Sequence, residues 1–360
     1  MTYLNNTAPS ASSEAYHSTV EPTSELVQAL TELFSCVLGV SPVLADSNFF
    51  ELGGDSILAV TLALEIQKST GMTVPPTLLF DAPSPAALAR AMGQRVGLQA
   101  GPLVRLKKGG QEPPVFLIPG ASGSPLSFAS LAKLMDIPNP IYGLQARGLD
   151  GREPPLRDVR DMAAYFLPSI RERQPRGPYL LGGYSMGGLT ALELGCALLD
   201  AGETVALLAL FDTGIRRRHL PLGRRFAVWG RRAKLHAAAI RNRSLRDAAL
   251  YIADRWHGGS SKPLPENQIP LQWRELQDVV AGAHEALANY RPRYYPGTIT
   301  FFAAADDADW PVYPEITWRH LAKTLRVQRV DGTHVSLFRA HAAAIAGQLA
   351  EAVRSALEAT

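Results

Sequence analysis

From residue 115 onward, short apolar runs alternate with longer helical patterns, and this alternation constrains the fold more than any other feature of the chain. The runs are Val115–Ile118, Ile141–Leu144, Tyr179–Tyr184, Val205–Phe211, Ile299–Ala303 and Leu325–Val330. Short, almost wholly apolar runs read as strands buried on both faces. Strands separated by helices join one sheet as parallel neighbours, with the crossovers lying on its faces. The expectation is a mostly parallel sheet flanked by helices, with an edge strand at Leu103–Leu106. Residues 215–290 interrupt the alternation with a helical, Arg-rich insertion, expected to form a lid.

The N-terminal part has a different period. Residues 1–22, rich in Ser, Thr, Asn and Ala, read as a tail. A helix starts at Thr23-Ser24-Glu25, carries Leu26, Leu30, Leu33, Phe34, Val37 and Leu38 on one stripe, and stops at Gly39. A second helix runs from Asp55 to Gly71, and a third starts at Ser84-Pro85. Three helices make a small bundle over residues 23–95. Residues 96–113 read as a linker, and the sheet-forming unit spans 103–360.

A chain of 360 residues fits two domains, and 46% hydrophobic against 19% charged residues is a globular composition. The opening residues MTYLNNTAPS have neither the basic start nor the apolar run of a signal peptide, and no apolar run reaches membrane-spanning length. The two cysteines, Cys36 and Cys196, fall in different units, so the expected compartment is a reducing cytoplasm. Cys196, in an Ala- and Leu-rich run, reads as a packed thiol.

Within the sheet region, Gly183-Tyr184-Ser185-Met186-Gly187 fits Gly-x-Ser-x-Gly. It follows the apolar run Tyr179–Leu181 and precedes a helical stretch from Gly188 to Asp200. A strand–turn–helix context is what lifts a serine into a nucleophile elbow. Such a serine needs a base and a group to orient that base. His334 follows a late strand in Asp331-Gly332-Thr333-His334. His284, His320 and His341 are assigned to helical stretches, His219, His236 and His257 to the insertion or its edges, and His17 to the tail. Asp212 ends the strand Val205–Phe211, while Asp306 and Asp307 follow Ile299–Ala303, and the residues alone leave this choice open. The order Ser, Asp, His is that of the α/β-hydrolases. An oxyanion hole would draw one backbone N–H from Met186 and one from the loop Pro119-Gly120-Ala121-Ser122-Gly123, at Ala121.

Ahead of the second helix stands Phe49-Phe50-Glu51-Leu52-Gly53-Gly54-Asp55-Ser56-Ile57. Asp55 can cap the helix, and Ser56 then sits at its positive end, a favourable place for a phosphodiester. From these few residues alone, ordinary helix capping explains the segment.

The longer pattern points further. Residues 24–93, through that core and Leu79-Phe80-Asp81-Ala82-Pro83-Ser84, resemble a peptidyl carrier domain of nonribosomal peptide synthetases. This resemblance implies a 4′-phosphopantetheine arm on Ser56, holding an acyl or peptidyl thioester, and a phosphopantetheinyl transferase as partner. Residues from about 103 to 358 resemble the fused thioesterase domain of the same synthetases, through Val115–Gly123, Gly183–Gly188, Leu210–Thr213, Tyr290–Ile299 and Gly332–His334. That resemblance favours Asp212 over Asp306 as the acid. The implied reaction moves the acyl group to Ser185 and releases it to water or an internal nucleophile, with no metal.

No adenylation or condensation domain is expected in the sequence; if Met1 is the natural start, a separate enzyme must load the carrier, and if the chain is a fragment, the loading domain lies upstream. Rival readings are an editing thioesterase, a carrier with a non-catalytic docking domain, and nucleic-acid binding through the insertion, which no recognisable nucleic-acid module accompanies. Between Ile215 and Trp256 there are 12 Lys and Arg against two Asp, whereas residues 23–95 hold seven acids and three bases. The expectation is a basic lid that attracts an acidic carrier.

Overall fold

The computed structural model describes residues 24–54, 56–72, 74, 76–80, 82–94, 101–149, 151–241, 271–306, 312–338 and 340–360. Among the described residues three helices come first: α1 (Ser24–Leu38), α2 (Ser56–Thr70) and α3 (Pro85–Gln94). Leu30 and Phe34 of α1 meet Leu62 and Ile66 of α2 and Leu88 and Met92 of α3 in one buried cluster. Phe49, fully buried, packs edge-on against Phe34 and Phe50. The loop before α2 is therefore fixed to the bundle core by an aromatic ring. A 3-10 turn at Pro76–Phe80 lies between α2 and α3; it is too short to leave a periodic signal and was not expected. Asp55, the expected cap of α2, lies outside the described residues.

The described residues from 101 onward build one seven-stranded sheet: β1 (Leu103–Lys107), β2 (Val115–Ile118), β3 (Ile141–Leu144), β4 (Tyr179–Tyr184), β5 (Val205–Phe211), β6 (Tyr295–Ala304) and β7 (Ala322–Val330). Their order is β1-β3-β2-β4-β5-β6-β7. Only the β1–β3 pairing is antiparallel, and every other neighbour pair is parallel. Helices cover both faces. On one side α5 (Val159–Arg173) and α6 (Gly187–Asp200) pack over Phe116, Leu181, Leu208 and Phe301. On the other, α4 (Ala129–Leu134) and the C-terminal helix, α10 (Ala342–Glu358), pack over Leu117, Leu180, Ala209 and Phe302. The central strands show apolar side chains to both layers, which is why they read as unbroken apolar runs.

β6 and β7 begin earlier than the apolar runs that announced them. β7 is an edge strand, and the residues it adds before Leu325 include the exposed, polar Lys323 and Thr324. Its ladder with β6 still starts at Tyr295 opposite Ala322. His320, expected in a helix, lies instead in the turn after the short α9 (Pro314–Thr317), just before β7.

The insertion contains α7 (Leu222–Arg241) and α8 (Leu271–Asn289) among its described residues; the part of the basic stretch beyond Arg241 lies outside them. Its two ends are held together. Arg218 donates through Nη2 to the Ala288 carbonyl and to Asn289 Oδ1, and His219 Nε2 lies 3.1 Å from the same carbonyl. These contacts cap the C-terminus of α8, where cations and donors are favoured. Beyond α8, Tyr290 donates to the buried Glu193 of α6 at 2.7 Å, and burial pushes the Tyr290 phenol far up from its ordinary pKa. Among the described residues no helix is long and apolar enough to cross a membrane.

Candidate active site

β4 ends at Tyr184, and Ser185 follows with φ of +55°, a left-handed conformation unusual outside glycine. α6 then starts at Gly187. The turn is this sharp because its flanking positions are glycines. A methyl group on Gly183 would run into the backbone of Gly187 and Gly188, and one on Gly187 into the Ile118 and Pro119 carbonyls. The elbow and the loop after β2 thus touch through backbone, and only glycine permits it.

The strained turn is held by the neighbouring strands. Ser185 N–H donates to the Phe211 carbonyl, and Asp212 N–H to the Phe302 carbonyl, both at 2.8 Å. Asp212 also has a left-handed backbone, with φ of +46°. Two functional side chains therefore leave adjacent strand ends at the same edge of the sheet, in register with one another.

The structure brings together the three residues expected from the sequence. His334 Nε2 lies 3.0 Å from Ser185 Oγ, and His334 Nδ1 lies 2.6 Å from Asp212 Oδ2. Asp212 is buried, at 1% exposure, and its other oxygen accepts the Ala304 N–H at 3.2 Å. Asp306 is used elsewhere: it accepts the Gly332 N–H at 3.2 Å, bracing the loop that carries His334. Asp307 lies outside the described residues. Ala121 and Met186 both border the space next to Ser185, and among the described residues neither backbone N–H donates to a backbone carbonyl. Two such donors can stabilise an oxyanion, each typically by about 3–4 kcal/mol.

Tyr184 has a role that the sequence reading missed. Its ring stacks on the His334 imidazole with centroids 5.0 Å apart, and its hydroxyl donates to the His334 carbonyl at 2.6 Å. Phe338 packs edge-on beneath it, against both Tyr184 and Phe211. The residue before the nucleophile thus supports the imidazole from its ring face and from its own backbone. Its position inside the motif was visible, but a contact 150 residues away was not.

Ser56 opens α2, behind Gly53 with φ of +95° and Gly54, where a methyl group would strike the Phe49 ring. A serine at the start of a 15-residue helix, next to backbone that a second protein can approach, suits a covalently attached phosphodiester. Cys196 is buried, and desolvation pushes its thiol up to about 11, so it stays protonated near neutrality.

A parallel sheet in this order, with a serine elbow after a central strand, an acid after the next strand and a histidine on a late loop, defines an α/β-hydrolase. Comparison with known proteins takes the assignment further. Residues 113–225 match the Thioesterase domain family, and residues 28–92 match the Phosphopantetheine attachment site family. A dimodular nonribosomal peptide synthase of Bacillus subtilis is 32% identical over 81% of this chain and 12% of its own length. An indigoidine synthase of Dickeya dadantii is 34% identical over 56% of this chain and 14% of its own. This chain thus spans only a small fraction of either relative. Among solved structures, a holo four-domain nonribosomal peptide synthetase bound to AMP and glycine aligns with 95% of this chain and 27% of its own, at a TM-score of 0.56 and 23% identity. A type II thioesterase from the borrelidin biosynthetic cluster covers 70% of this chain and 96% of its own, at 0.50 and 21%, a likeness of fold. The chain is a carrier–thioesterase didomain: a phosphopantetheine attachment domain, whose cofactor is held covalently on a serine, followed by a hydrolase acting on thioesters.

Proposed function

We propose that residues 23–95 carry an acyl or peptidyl group on Ser56, and that residues 103–360, with a lid at about 215–290, release it through Ser185 in nonribosomal peptide biosynthesis. Phosphopantetheine fits Ser56 on the helix-start geometry, with Asp55 beside it in sequence. When bound, the group supplies a thiol that holds the acyl chain as a thioester.

His334 Nε2 takes the proton of Ser185 Oγ as that oxygen attacks the thioester carbonyl. Asp212 keeps the Nδ1–H tautomer in place and stabilises the imidazolium. The carbonyl oxygen becomes an anion facing the N–H groups of Ala121 and Met186. The acyl–sulfur bond would then break, with His334 giving its proton to the departing sulfur. The acyl group is left as an ester on Ser185. In the second half, His334 takes a proton from water or from a nucleophile within the acyl group as it attacks the ester; the acyl–oxygen bond breaks and His334 gives that proton to Ser185 Oγ. Water gives an acid and an internal nucleophile a ring.

The observation that carries this reading is the unbroken chain from Ser185 through His334 to Asp212, at 3.0 and 2.6 Å, in a polypeptide that also has a phosphopantetheine attachment domain. That chain supports catalysis over a docking role for the second domain. The partners in this reading are a phosphopantetheinyl transferase and an upstream adenylation or condensation enzyme or domain. The proposed compartment is the cytoplasm, where the free thiols Cys36 and Cys196 would stay reduced. The test is intact mass spectrometry of holo protein loaded with an acyl group and quenched early. An acyl adduct on a Ser185 peptide is expected, and its absence while product forms would sink the reading.

A further inference from the structure

Asp212 sits in backbone that has to be held in place. Its φ of +46° is left-handed, and outside glycine such a conformation persists only where the surroundings over-determine it. The hold comes from both sides. Ahead of the side chain, Asp212 N–H donates to the Phe302 carbonyl at 2.8 Å, so β6 fixes the preceding peptide. Behind it stands Thr213, fully buried, whose hydroxyl donates to the Phe211 carbonyl at 3.4 Å. That carbonyl also takes the Ser185 N–H, so the elbow and the acid share one acceptor. Thr213 is also pressed against the first turn of α6, where a methyl group on Gly188 would strike its side chain.

One group on this segment is left, the Thr213 carbonyl. Among the described residues no backbone N–H reaches it. It accepts instead from Trp318 Nε1 at 2.9 Å, a donor 105 positions away. Trp318 follows α9 directly and is itself firmly placed. It is fully buried, its ring lies 5.9 Å from that of Phe301 on β6, and its backbone N–H donates to the Pro314 carbonyl at 2.8 Å. A donor delivered from apolar surroundings has to be carried by an apolar side chain, and an indole does this without bringing a charge of its own.

We propose that Trp318 is a positioning residue for the acid: its N–H fixes the peptide after Thr213, and with it the left-handed turn that aims the Asp212 carboxylate at His334. The inference rests on Asp212 being the catalytic acid. Without that bond the buried carbonyl loses its partner, and the Asp212–Thr213 segment regains freedom to turn. The 2.6 Å contact between Asp212 Oδ2 and His334 Nδ1 then loses the fixed geometry that holds the imidazole in one tautomer and orientation. The effect reaches the reaction through the carboxylate, which gives it a signature that a packing defect lacks.

The test uses the full chain and the acetyl thioester of N-acetylcysteamine, which bypasses the carrier. Acylation of Ser185 is followed by quenched intact mass. Trp318→Phe removes the donor and some volume. Trp318→3-benzothienylalanine, introduced at that codon alone, keeps the two-ring shape and puts sulfur in place of the N–H. Both should lower the limiting rate of acylation by about 10- to 100-fold, the range that a small misplacement of a catalytic group produces. The half-saturating concentration should stay within about twofold, because substrate binding is not what is lost. In an Asp212→Asn background the same replacements should change the rate by less than about twofold, because the two residues act as a unit. An equal fold-loss in both backgrounds would make Trp318 a packing residue and overturn the proposal. An unchanged rate in the benzothienylalanine variant would overturn it too, and since that variant keeps the shape of tryptophan, misfolding of the phenylalanine variant does not decide the outcome. A far-ultraviolet spectrum and a thermal midpoint accompany each protein. If Asp212→Asn alone left acylation unchanged, the acid itself would fall, a result distinct from failure at Trp318.

Discussion

The two serines at the centre of this molecule are held in opposite ways. Ser56 begins a helix of a small bundle, and among the described residues just before it Gly53 alone has a left-handed backbone. Ser185 occupies a left-handed turn, held by a ladder bond to β5, ringed by glycines that admit no side chain, and joined to a histidine that is itself stacked and hydrogen-bonded. A carrier serine has to be presented to several enzymes in turn, so its surroundings are spare. A nucleophile has to meet one transition state, so its surroundings are fixed before the substrate arrives. Substitutions around Ser185 should therefore matter far more than those around Ser56, apart from Ser56 itself.

The largest effects fall on the serines. Ser56→Ala should prevent phosphopantetheine attachment, seen as no mass gain with a phosphopantetheinyl transferase and coenzyme A, while small-molecule thioesters are still cleaved. Ser185→Ala should load normally and stall, with turnover down on the order of 10⁶-fold. A pantetheine mass gain on the first variant, or rapid release by the second, would break the comparison at its root. Next come the groups holding the imidazole. Asp212→Asn should lower turnover about 10⁴-fold by favouring the wrong tautomer, and Asp306→Asn far less, because Asp306 only braces a loop. The reverse ranking would transfer the acid to Asp306.

Tyr184 sharpens the contrast at a smaller scale. Tyr184→Phe keeps the stacked ring and loses the bond to the His334 carbonyl; Tyr184→Ala loses both. Phenylalanine should retain most of the turnover, whereas alanine should lose more in kcat than in KM. Equal losses would mean that the ring contributes nothing. The smallest effect concerns charge. Transfer from a separated acyl-carrier to the separated hydrolase unit should slow as salt rises, because complementary fields mainly speed encounter. Arg218 is unsuitable for testing this, because it caps α8; Arg224 is also committed, to the Ile316 carbonyl at 2.5 Å. Arg216 and Arg225, both exposed, are the better choice. Reversing them should slow transfer a few-fold and flatten its salt dependence, and a salt-independent rate would remove steering from the account.

Much of this was legible in the chain itself, for identifiable reasons. The central strands are covered on both faces, so β2, β3, β4 and β5 coincide with the apolar runs in the sequence. β7 was seen only from Leu325 on, because its edge position tolerates the exposed, polar Lys323 and Thr324 at its start. Ser185 and His334 stood out because an elbow and a late loop have local signatures. Asp212 and Asp306 both follow strands, and only three-dimensional placement shows one at His334 and the other at Gly332. The stacking of Tyr184 on His334 depends on residues far apart in sequence, which no local pattern carries. Arg218 and His219 looked like members of a charge run and are the cap of a helix that ends some 70 residues later.

That cap also bears on how the chain can change. With residues 218 and 219 pinned to 288 and 289, the insertion leaves the sheet region and returns to it at a closed base. The ends of a loop already held together need little more to stay together when the loop grows: each doubling of a flexible length costs only about 0.6 kcal/mol. The stretch between them behaves as an exchangeable cassette. Residues ahead of α8 can be shortened, extended or exchanged, provided the α8 face that brings Ala283, Ala286 and Leu287 into the core is kept. A chemist seeking new selectivity could graft ahead of α8, keeping Val279 and Ala283, which line the cavity beside the elbow.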